Sequence, residues 1–308
     1  MAAQRQPLLT AQPRRVVPSR EFYAQYDGHP VRALQTAHTS LAQTADEIVF
    51  FAGDSSLDNK FWLNEHVAAT NGWERVLTPP LCKPDVAYHA NALLAEHGTR
   101  RAVVINTAVE ASLLSNRIGW CCGSLLPADR FIRDTITPAD SLVVSVGGND
   151  VALFPGCCTA CNMVCLAHYV PMSWIASRRA PCLNHFVGLF GAGVEKYVGQ
   201  LVAKVKPKRV VVCMIYYPDE QSEGSWADPA LACLKYNSNP RKLQATIAAI
   251  YEMATARIRV AGTEVVPLPL FTVLDGKTSA DYVQRVEPSS QGGRKMARAI
   301  LTKLELLQ

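Results

Sequence analysis

The stretch EIVFFAGDSSLDN, residues 47–59, joins an apolar segment to a polar one and decides how the rest of the chain is interpreted. Residues 48–51 are β-branched or aromatic, which predicts a strand buried on both faces. Gly53, Asp54 and Ser55 follow, and the glycine permits a sharp turn. Near a helix N-terminus, Ser55 has the position of a nucleophile, because helix-end amides favour developing negative charge. The same residues also suit an ordinary helix cap.

Four other segments predict buried strands bounded by breakers: RAVVIN ending at Asn106, SLVVSV ending at Val146, KRVVVCMIYY ending near Tyr217, and TEVVPLPLF ending at Phe271. Prolines in the last segment cannot donate ladder hydrogen bonds, which predicts an edge strand. Helical periodicity lies between these strands, at residues 88–97, 185–205, 240–260 and 293–307. This alternation predicts a three-layer α/β/α sandwich around a five-stranded parallel sheet.

In such a sheet, ligands bind beyond the carboxyl ends of the strands. The third predicted strand is followed there by GGND, residues 147–150. Gly147 and Gly148 permit close backbone approach, and the side-chain amide of Asn149 can donate to an oxyanion that develops in a transition state. A simple Gly-Gly-Asn-Asp turn is the alternative.

Two of these motifs together resemble a known family. FAGDSSLDN, residues 51–59, and SVGGNDVAL, residues 145–153, are similar to the first and third sequence blocks of the SGNH (GDSL) hydrolase superfamily. The resemblance implies a flavodoxin-like α/β/α serine esterase, lipase or acyl- or acetyl-hydrolase that needs no metal or other cofactor. It implies Ser55 as the nucleophile and Asn149 as an oxyanion donor. Asp54, Gly148 and Asp150 are then expected to bind a small ester substrate.

The second block of the family is incomplete in this chain. It corresponds to INTAVEAS, residues 105–112, where Asn106 is present and Ala111 occupies the position of the family's glycine. An alanine still has an N–H group, which can complete the oxyanion hole if the backbone angles suit a residue other than glycine. We therefore expect Ala111 to be a donor and Asn106 to lie near the substrate.

The fourth block departs most from the family pattern, D-x-x-H-P-S. In DYVQRVEPSSQGG, residues 281–293, Pro288 and Ser289 fit this frame, and Ser289 is placed to cap a helix. Glu287 holds the position of the histidine base, and Gln284 holds the position of its acid partner. A carboxylate with a pKa of about 4.3 is a weaker base than histidine at about 6.5, but burial can raise it by several units. We therefore expect Glu287 to be a non-standard base.

Other sources of a base remain open from the sequence. His29, His89 or His185 could reach the site from predicted loops or helix starts, and Asp275 or Asp281 could assist Glu287. The remaining alternative is a catalytically impaired protein that keeps the fold and serves as a binding or structural subunit.

Charge and hydropathy restrict the functional classes. The net charge of the 308-residue chain is +5, and Arg5, Arg14, Arg15 and Arg20 precede the first acid. The rest of the chain is near balance, so neither nucleic acid nor a membrane surface is an expected partner. No apolar run reaches the roughly 18 residues of a membrane span.

Three prolines in residues 1–20 and the lack of apolar periodicity predict a disordered or extended N-terminal arm over residues 1–35, ahead of a domain at 36–308. Such an arm could order on a protein partner. No secretory h-region is visible, so we expect a cytoplasmic protein, with an organellar presequence left open.

The chain has ten cysteines, which we expect to be reduced thiols. Two clusters stand out, Cys121–Cys122 and CCTACNMVC at residues 157–165. The second contains a C-x-x-C pair, but no further ligand pair follows at zinc-finger spacing, so a thiol cluster is favoured over a metal site. We expect residues 157–182 to form part of a pocket wall.

Overall fold

A five-stranded parallel sheet organises the fold. The computed structural model describes residues 16–119, 124–221 and 224–307. The strands are β1 (Glu47–Gly53), β2 (Ala102–Asn106), β3 (Ser141–Ser145), β4 (Arg209–Met214) and β5 (Glu264–Pro269). Their order is β2-β1-β3-β4-β5, and every neighbouring pair is parallel. The predicted sheet is confirmed, including the edge position of the proline-containing strand.

Helices connect the strands and cover both faces of the sheet. The α-helices are α1 (Ser19–Phe22), α2 (Val31–Leu41), α3 (Val86–His97), α4 (Leu114–Ile118), α5 (Pro127–Thr135), α6 (Gly148–Ala152), α7 (Cys157–Val164), α8 (Met172–Ala176), α9 (Leu183–Val187), α10 (Val194–Leu201), α11 (Asp228–Cys233), α12 (Pro240–Met253) and α13 (Ser290–Lys303). Two π-helical segments, Cys165–Tyr169 and Gly188–Gly193, continue α7 and join α9 to α10. None of the described helices is long and apolar enough to cross a membrane.

Strand β1 shows how the layers are built. Phe50 belongs to a core cluster with Leu34 of α2 and Ile132 of α5, whereas Phe51 belongs to a second cluster with Leu93 of α3. Successive side chains of a strand point to opposite faces, so adjacent phenylalanines serve two cores. This double burial explains the continuous apolar character of the strand sequence.

The predicted helices are confirmed with altered ends. Helix α13 begins three residues before the expected start, because the Ser289 hydroxyl accepts a hydrogen bond of 3.1 Å from the Gly292 N–H, as its sequence position predicted. Helix α12 ends at Met253, well before residue 260, and a short 3₁₀ turn, Thr255–Arg257, follows it. Residues 185–205 are helical as far as Leu201.

The N-terminal segment is more ordered than expected from residue 17 onward. Val17–Pro18 pairs in parallel with Leu77–Thr78. Phe22 is buried against Trp73 and stacks on His29 at a centroid distance of 4.0 Å. The expected arm over residues 1–35 is therefore corrected for residues 17–35, because their apolar side chains pack into the domain. Residues 1–15 lie outside the described part of the chain.

Candidate active site

The turn after β1 presents Ser55 at the carboxyl edge of the sheet. Gly53 cannot be replaced here, because a Cβ atom would lie 2.2 Å from the carbonyl oxygen of Ser145. Asp54 Oδ1 accepts hydrogen bonds from the Ser56 N–H at 3.1 Å and the Ser56 hydroxyl at 2.8 Å. Ser56 Oγ also lies 2.6 Å from Ser145 Oγ on β3. These contacts hold the turn between two strands, and Ser55, 8% exposed, faces a cavity.

Asn149 reaches the same cavity from the end of β3. Gly147 has a φ of +98°, and a Cβ atom there would lie 2.9 Å from the ring of Phe190, so both conformation and space require glycine. Helix α6 begins at the next residue. The side-chain amide of Asn149 donates a hydrogen bond of 3.1 Å to the Ser112 carbonyl, which fixes its orientation.

The loop after β2 carries Ala111 in a conformation that usually belongs to glycine. Its φ is +57°, in the left-handed region that costs a non-glycine residue roughly 1–2 kcal/mol. Val109 N–H donates to the Gly53 carbonyl at 3.0 Å, so this loop lies beside the end of β1. Within residues 16–119, 124–221 and 224–307, no group accepts a hydrogen bond from the N–H of Ser55 or Ala111. Ala111 itself does not line the cavity.

The buried side chain of Arg117 stabilises both the serine turn after β1 and the loop after β2. Arg117 donates to the Gly53 carbonyl at 2.7 Å and to the Ser112 hydroxyl at 2.6 Å. Tyr197 and Asp129 hold its guanidinium from the other side, with a hydrogen bond of 2.6 Å to the tyrosine hydroxyl and an ion pair of 3.6 Å to the carboxylate. The backbone at the serine turn and at the loop after β2 is therefore fixed by one fully buried cation.

Glu287 lies in the cavity opposite the serine turn. It occupies a two-residue strand, Glu287–Pro288, paired with Tyr282–Val283, and it is 4% exposed. Burial raises the pKa of Glu287 well above its usual value, and the neighbouring carboxyl of Glu110 raises it further. The nearby Ser55 hydroxyl partly opposes this shift of the pKa, and Glu287 Oε2 has no hydrogen-bond partner among the described residues. The cavity thus brings together Ser55, Asn149 and Glu287, with Asp54 and Gly148 beside them.

Glu110 is a second buried carboxyl that the sequence interpretation missed. Its Oε1 accepts from the Tyr26 hydroxyl and from the Trp62 indole, both at 3.3 Å. Its Oε2 has no partner among the described residues. Burial, and next the charge of Asp58, raise the pKa of Glu110 to about 8. The sequence indicates Glu110 only through its position in INTAVEAS, one residue before Ala111.

The end of the serine motif positions both glutamates. Asp58 forms a buried ion pair with Lys60 at 2.7 Å, and its Oδ2 accepts from the Glu110 N–H at 2.9 Å. Asn59 donates from its side-chain amide to the Pro288 carbonyl at 2.8 Å, directly after Glu287. The polar half of FAGDSSLDN therefore connects the nucleophile candidate to the two loops that carry carboxyl groups.

Two residues expected to contact substrate have other roles. Asn106 donates to the Leu57 carbonyl at 2.9 Å and accepts from the Ala108 N–H at 3.1 Å, so its amide is used within the loop. The carboxylate of Asp150 accepts from the first N–H groups of α4 at 2.7 and 3.0 Å. Neither residue lines the cavity, because the backbone already occupies its polar atoms.

None of the seven histidines lines the cavity. His29 bonds to the Phe22 carbonyl at 2.8 Å. His89 bonds to the Ser290 hydroxyl and His185 to the Thr159 hydroxyl, each at 2.9 Å. A histidine base from elsewhere in the chain is therefore unsupported by the geometry.

The alternative carboxylates are also outside the cavity. Asp281 pairs with Lys295 at 2.6 Å. Asp275 is exposed and accepts from the Lys277 N–H at 3.1 Å. Neither is available to assist Glu287.

The cysteine-rich segment contributes to the cavity wall through its apolar residues. Cys157, Cys158 and Cys161 are exposed on α7. In the described ranges, no group of three histidine, cysteine or acidic side chains is arranged to hold a metal ion. Met163 and Leu166 line the cavity, which confirms the expected pocket wall. Cys121 and Cys122 lie outside the described residues.

The fold and site together define a three-layer α/β/α protein with a serine, an amide and a carboxyl group at the carboxyl edge of its sheet. No family model and no curated protein matches the sequence. Similar solved structures include LAE5, an alpha/beta hydrolase from the metagenome of Lake Arreo, with 15% identity over 86% of this chain and 98% of that chain and a TM-score of 0.45.

An extracellular lipase from Streptomyces rimosus is similar with 13% identity over 83% of this chain and 99% of that chain, at a TM-score of 0.44. Axe2, an acetylxylan esterase from Geobacillus stearothermophilus, is similar with 13% identity over 85% and 95% of the two chains, at a TM-score of 0.42.

Proposed function

We propose that this protein is a serine ester hydrolase in which Ser55 is the nucleophile and Glu287 is the base. The observation that carries the proposal is the meeting of these two side chains in one buried cavity, beside the amide of Asn149. A serine hydroxyl needs a neighbouring base to become an effective nucleophile, and Glu287 is a carboxyl of the same cavity lining whose pKa is raised by burial and partly lowered by the nearby Ser55 hydroxyl.

The reaction has two halves. Ser55 Oγ attacks the ester carbonyl carbon while its proton passes to Glu287, and the bond from carbon to the alkoxy oxygen then breaks as Glu287 returns the proton to the leaving alcohol. A water molecule next attacks the acyl-serine and gives its proton to Glu287. The serine regains that proton when the carboxylic acid departs, so the enzyme is restored.

We propose three donors for the negative oxygen of the tetrahedral intermediates. These are the N–H groups of Ser55 and Ala111, which have no acceptor within the described ranges, and the side-chain amide of Asn149. Donors of this kind are worth about 2.7–4 kcal/mol each in transition-state stabilisation. The carboxyl of Asp54 has a free Oδ2 in the same cavity and is proposed to contact the substrate.

The environment of Glu287 sets the conditions of catalysis. Burial and the Glu110 carboxyl raise its pKa, so the base form accumulates at higher pH than for an ordinary glutamate. A higher pKa also makes the carboxylate a stronger base. The same environment that delays ionisation therefore improves proton abstraction once ionisation has occurred.

Fluorophosphonate labelling of purified protein, measured by intact mass, tests the proposal directly. Such a probe needs an activated serine and an oxyanion hole but no knowledge of the natural ester. We expect a single adduct that disappears in Ser55→Ala and persists in Ser177→Ala, which removes an exposed hydroxyl outside the cavity. No adduct on the folded protein would overturn the proposal and favour the impaired, binding or structural alternative.

A further inference from the structure

The cavity that contains Ser55 has two chemically different parts. It has a volume of about 170 Å³. Its polar end is formed by the serine turn, the start of α6 and Glu287, and the rest of its wall comes from α7, α9, α11, α12 and the end of β4. That wall is almost wholly apolar, with Phe186, Phe190, Met214 and Ile247 among its members.

This apolar part is a pocket, partly open to solvent, in the side of a hydrophobic cluster. The four side chains just named belong to one cluster of buried residues, separate from the two clusters that flank the sheet. Native cores are close-packed and contain few voids larger than a water molecule. An apolar pocket of this size favours an apolar occupant. Because Ser55 lines the same pocket, we interpret its apolar part as a place where part of the substrate binds.

Three polar side chains of the wall are already engaged. Tyr216 donates to the Val286 carbonyl at 2.6 Å. Thr246 donates to the Lys242 carbonyl at 2.9 Å, and Lys242 donates to the Ala167 carbonyl at 2.9 Å. Lys242 is the only cation among the described lining residues. A sugar or an anionic group would therefore lose its water hydrogen bonds without replacement, whereas a hydrocarbon chain loses none.

We propose that this cavity holds the acyl chain of the ester, a hydrocarbon chain longer than acetyl, with the ester carbonyl at Ser55. The inference rests on the proposed function and specifies the substrate class of that site. The alcohol part of the ester then leaves through the polar end, away from α12. Cavity length, set by residues such as Ile247, determines which chain is preferred.

A chain-length series tests the proposal. We expect kcat/KM for p-nitrophenyl esters to rise from acetate to octanoate by about fourfold per methylene until the cavity is filled, which corresponds to about 0.8 kcal/mol for each buried methylene. Monomeric p-nitrophenyl octanoate and micelles of dioctanoyl phosphatidylcholine distinguish a soluble ester from a lipid as the source of the chain. Acetate as the best substrate of an active enzyme would overturn this inference alone.

A variant that fills the cavity with a larger side chain tests the same assignment. Ile247→Trp on α12 is expected to lower the octanoate-to-acetate ratio of kcat/KM at least tenfold, because the indole occupies the space of the chain. Arg241→Trp adds the same ring to an exposed position of that helix and should keep the parent ratio. Equal ratios in both variants would contradict the assignment of the cavity.

A binding measurement separates this inference from the proposed function. Ser55→Ala protein should bind decanoate, detected by displacement of a fluorescent fatty acid, and should not bind acetate. If the wild-type protein forms no fluorophosphonate adduct but decanoate binds, the proposed hydrolase fails while the apolar site stands. If the adduct forms and decanoate does not bind, the acyl-chain site fails while the hydrolase stands.

Discussion

Asn59 and Pro288 are joined by a hydrogen bond of 2.8 Å from the asparagine amide to the proline carbonyl, across 229 residues of sequence. Asn59 closes the motif that carries Ser55, and Pro288 follows Glu287 directly. This single contact therefore fixes the spacing between the proposed nucleophile and its base. Asn59 is fully buried, so no water competes for the bond.

Removal of that contact should weaken catalysis more than folding. We expect Asn59→Ala to lower kcat by about a hundredfold, since small displacements of reacting groups cost that much, with a much smaller change in KM. The loss of a buried hydrogen bond costs about 1–3 kcal/mol of the free energy of unfolding. Chemical denaturation and steady-state kinetics on a p-nitrophenyl ester measure the two effects.

Asn91→Ala is the matched control. Asn91 is a buried amide that donates to the Val104 and Ala87 carbonyls at 3.0 Å each, away from the cavity. Its side-chain oxygen also accepts from the Val104 N–H and the Asn71 amide, so Asn91→Ala should lose at least as much stability and keep kcat. Parallel losses of kcat in the two variants would show that Asn59 acts through stability alone.

The base assignment predicts contrasting effects of two substitutions. Glu287→Gln keeps the shape but cannot accept a proton, so kcat should fall by about 10²–10⁴-fold. Glu287→His places an imidazole beside the Glu110 carboxyl and should turn over substrate measurably faster than Glu287→Gln. Its activity should reach a plateau at lower pH than that of the wild type. Activity of Glu287→Gln equal to wild type would exclude Glu287 as the base.

The pH profile should carry the signature of a buried carboxylate. Protonated Glu287 cannot accept the serine proton, and its pKa is raised, so kcat/KM should increase with pH through a range well above that of an ordinary glutamate. Glu110→Gln removes a like charge and should shift the midpoint of this rise to lower pH by about one unit, the size of coupling between neighbouring carboxyl groups. An unchanged midpoint would mean that Glu110 does not influence the base.

Glu110 should also make folding stability fall as pH rises. Its pKa is raised to about 8 in the folded protein, compared with 4.5 for the free side chain. Between these values the folded state holds a proton that the unfolded state has released, so each rise in pH favours unfolding. We expect Tm to decline from pH 5 to pH 8 and the decline to be smaller in Glu110→Gln. Thermal unfolding in buffers of matched ionic strength measures both slopes.

The strands and the serine turn were predictable because their signals are local. A parallel strand buried on both faces, such as residues 48–51, has a continuous apolar sequence, and Gly53 and Gly147 mark turns that no other residue permits. The cap at Ser289 is likewise set by the residues that follow it. These features depend on short segments, so the sequence alone identified them.

The remaining features depend on contacts between distant segments. Val17 and Phe22 are ordered because they bury against residues 73–77, which their own proline-containing surroundings do not indicate. Glu110 is placed by the carboxylate of Asp58, 52 residues earlier. The local sequence predicts Arg117 as a surface residue of a short polar helix, yet its side chain is fully buried between two loops.

Ala111 offers a test of the oxyanion loop that combines stability with activity. Its φ of +57° is unfavourable for alanine and free of cost for glycine, so Ala111→Gly should raise the free energy of unfolding by about 1 kcal/mol. Lys235→Gly, at a second residue with a φ of +57° and outside the cavity lining, should give a similar gain and no change in kcat.

If the Ala111 N–H donates to the oxyanion, Ala111→Gly should keep turnover, because the N–H and its direction are retained. Ala111→Pro removes that donor and should lower kcat by about 10²–10³-fold. Because proline cannot adopt a positive φ, its cost in unfolding free energy must be measured beside the kinetics, and a kcat loss no larger than that of Asn91→Ala would assign Ala111 a purely structural role.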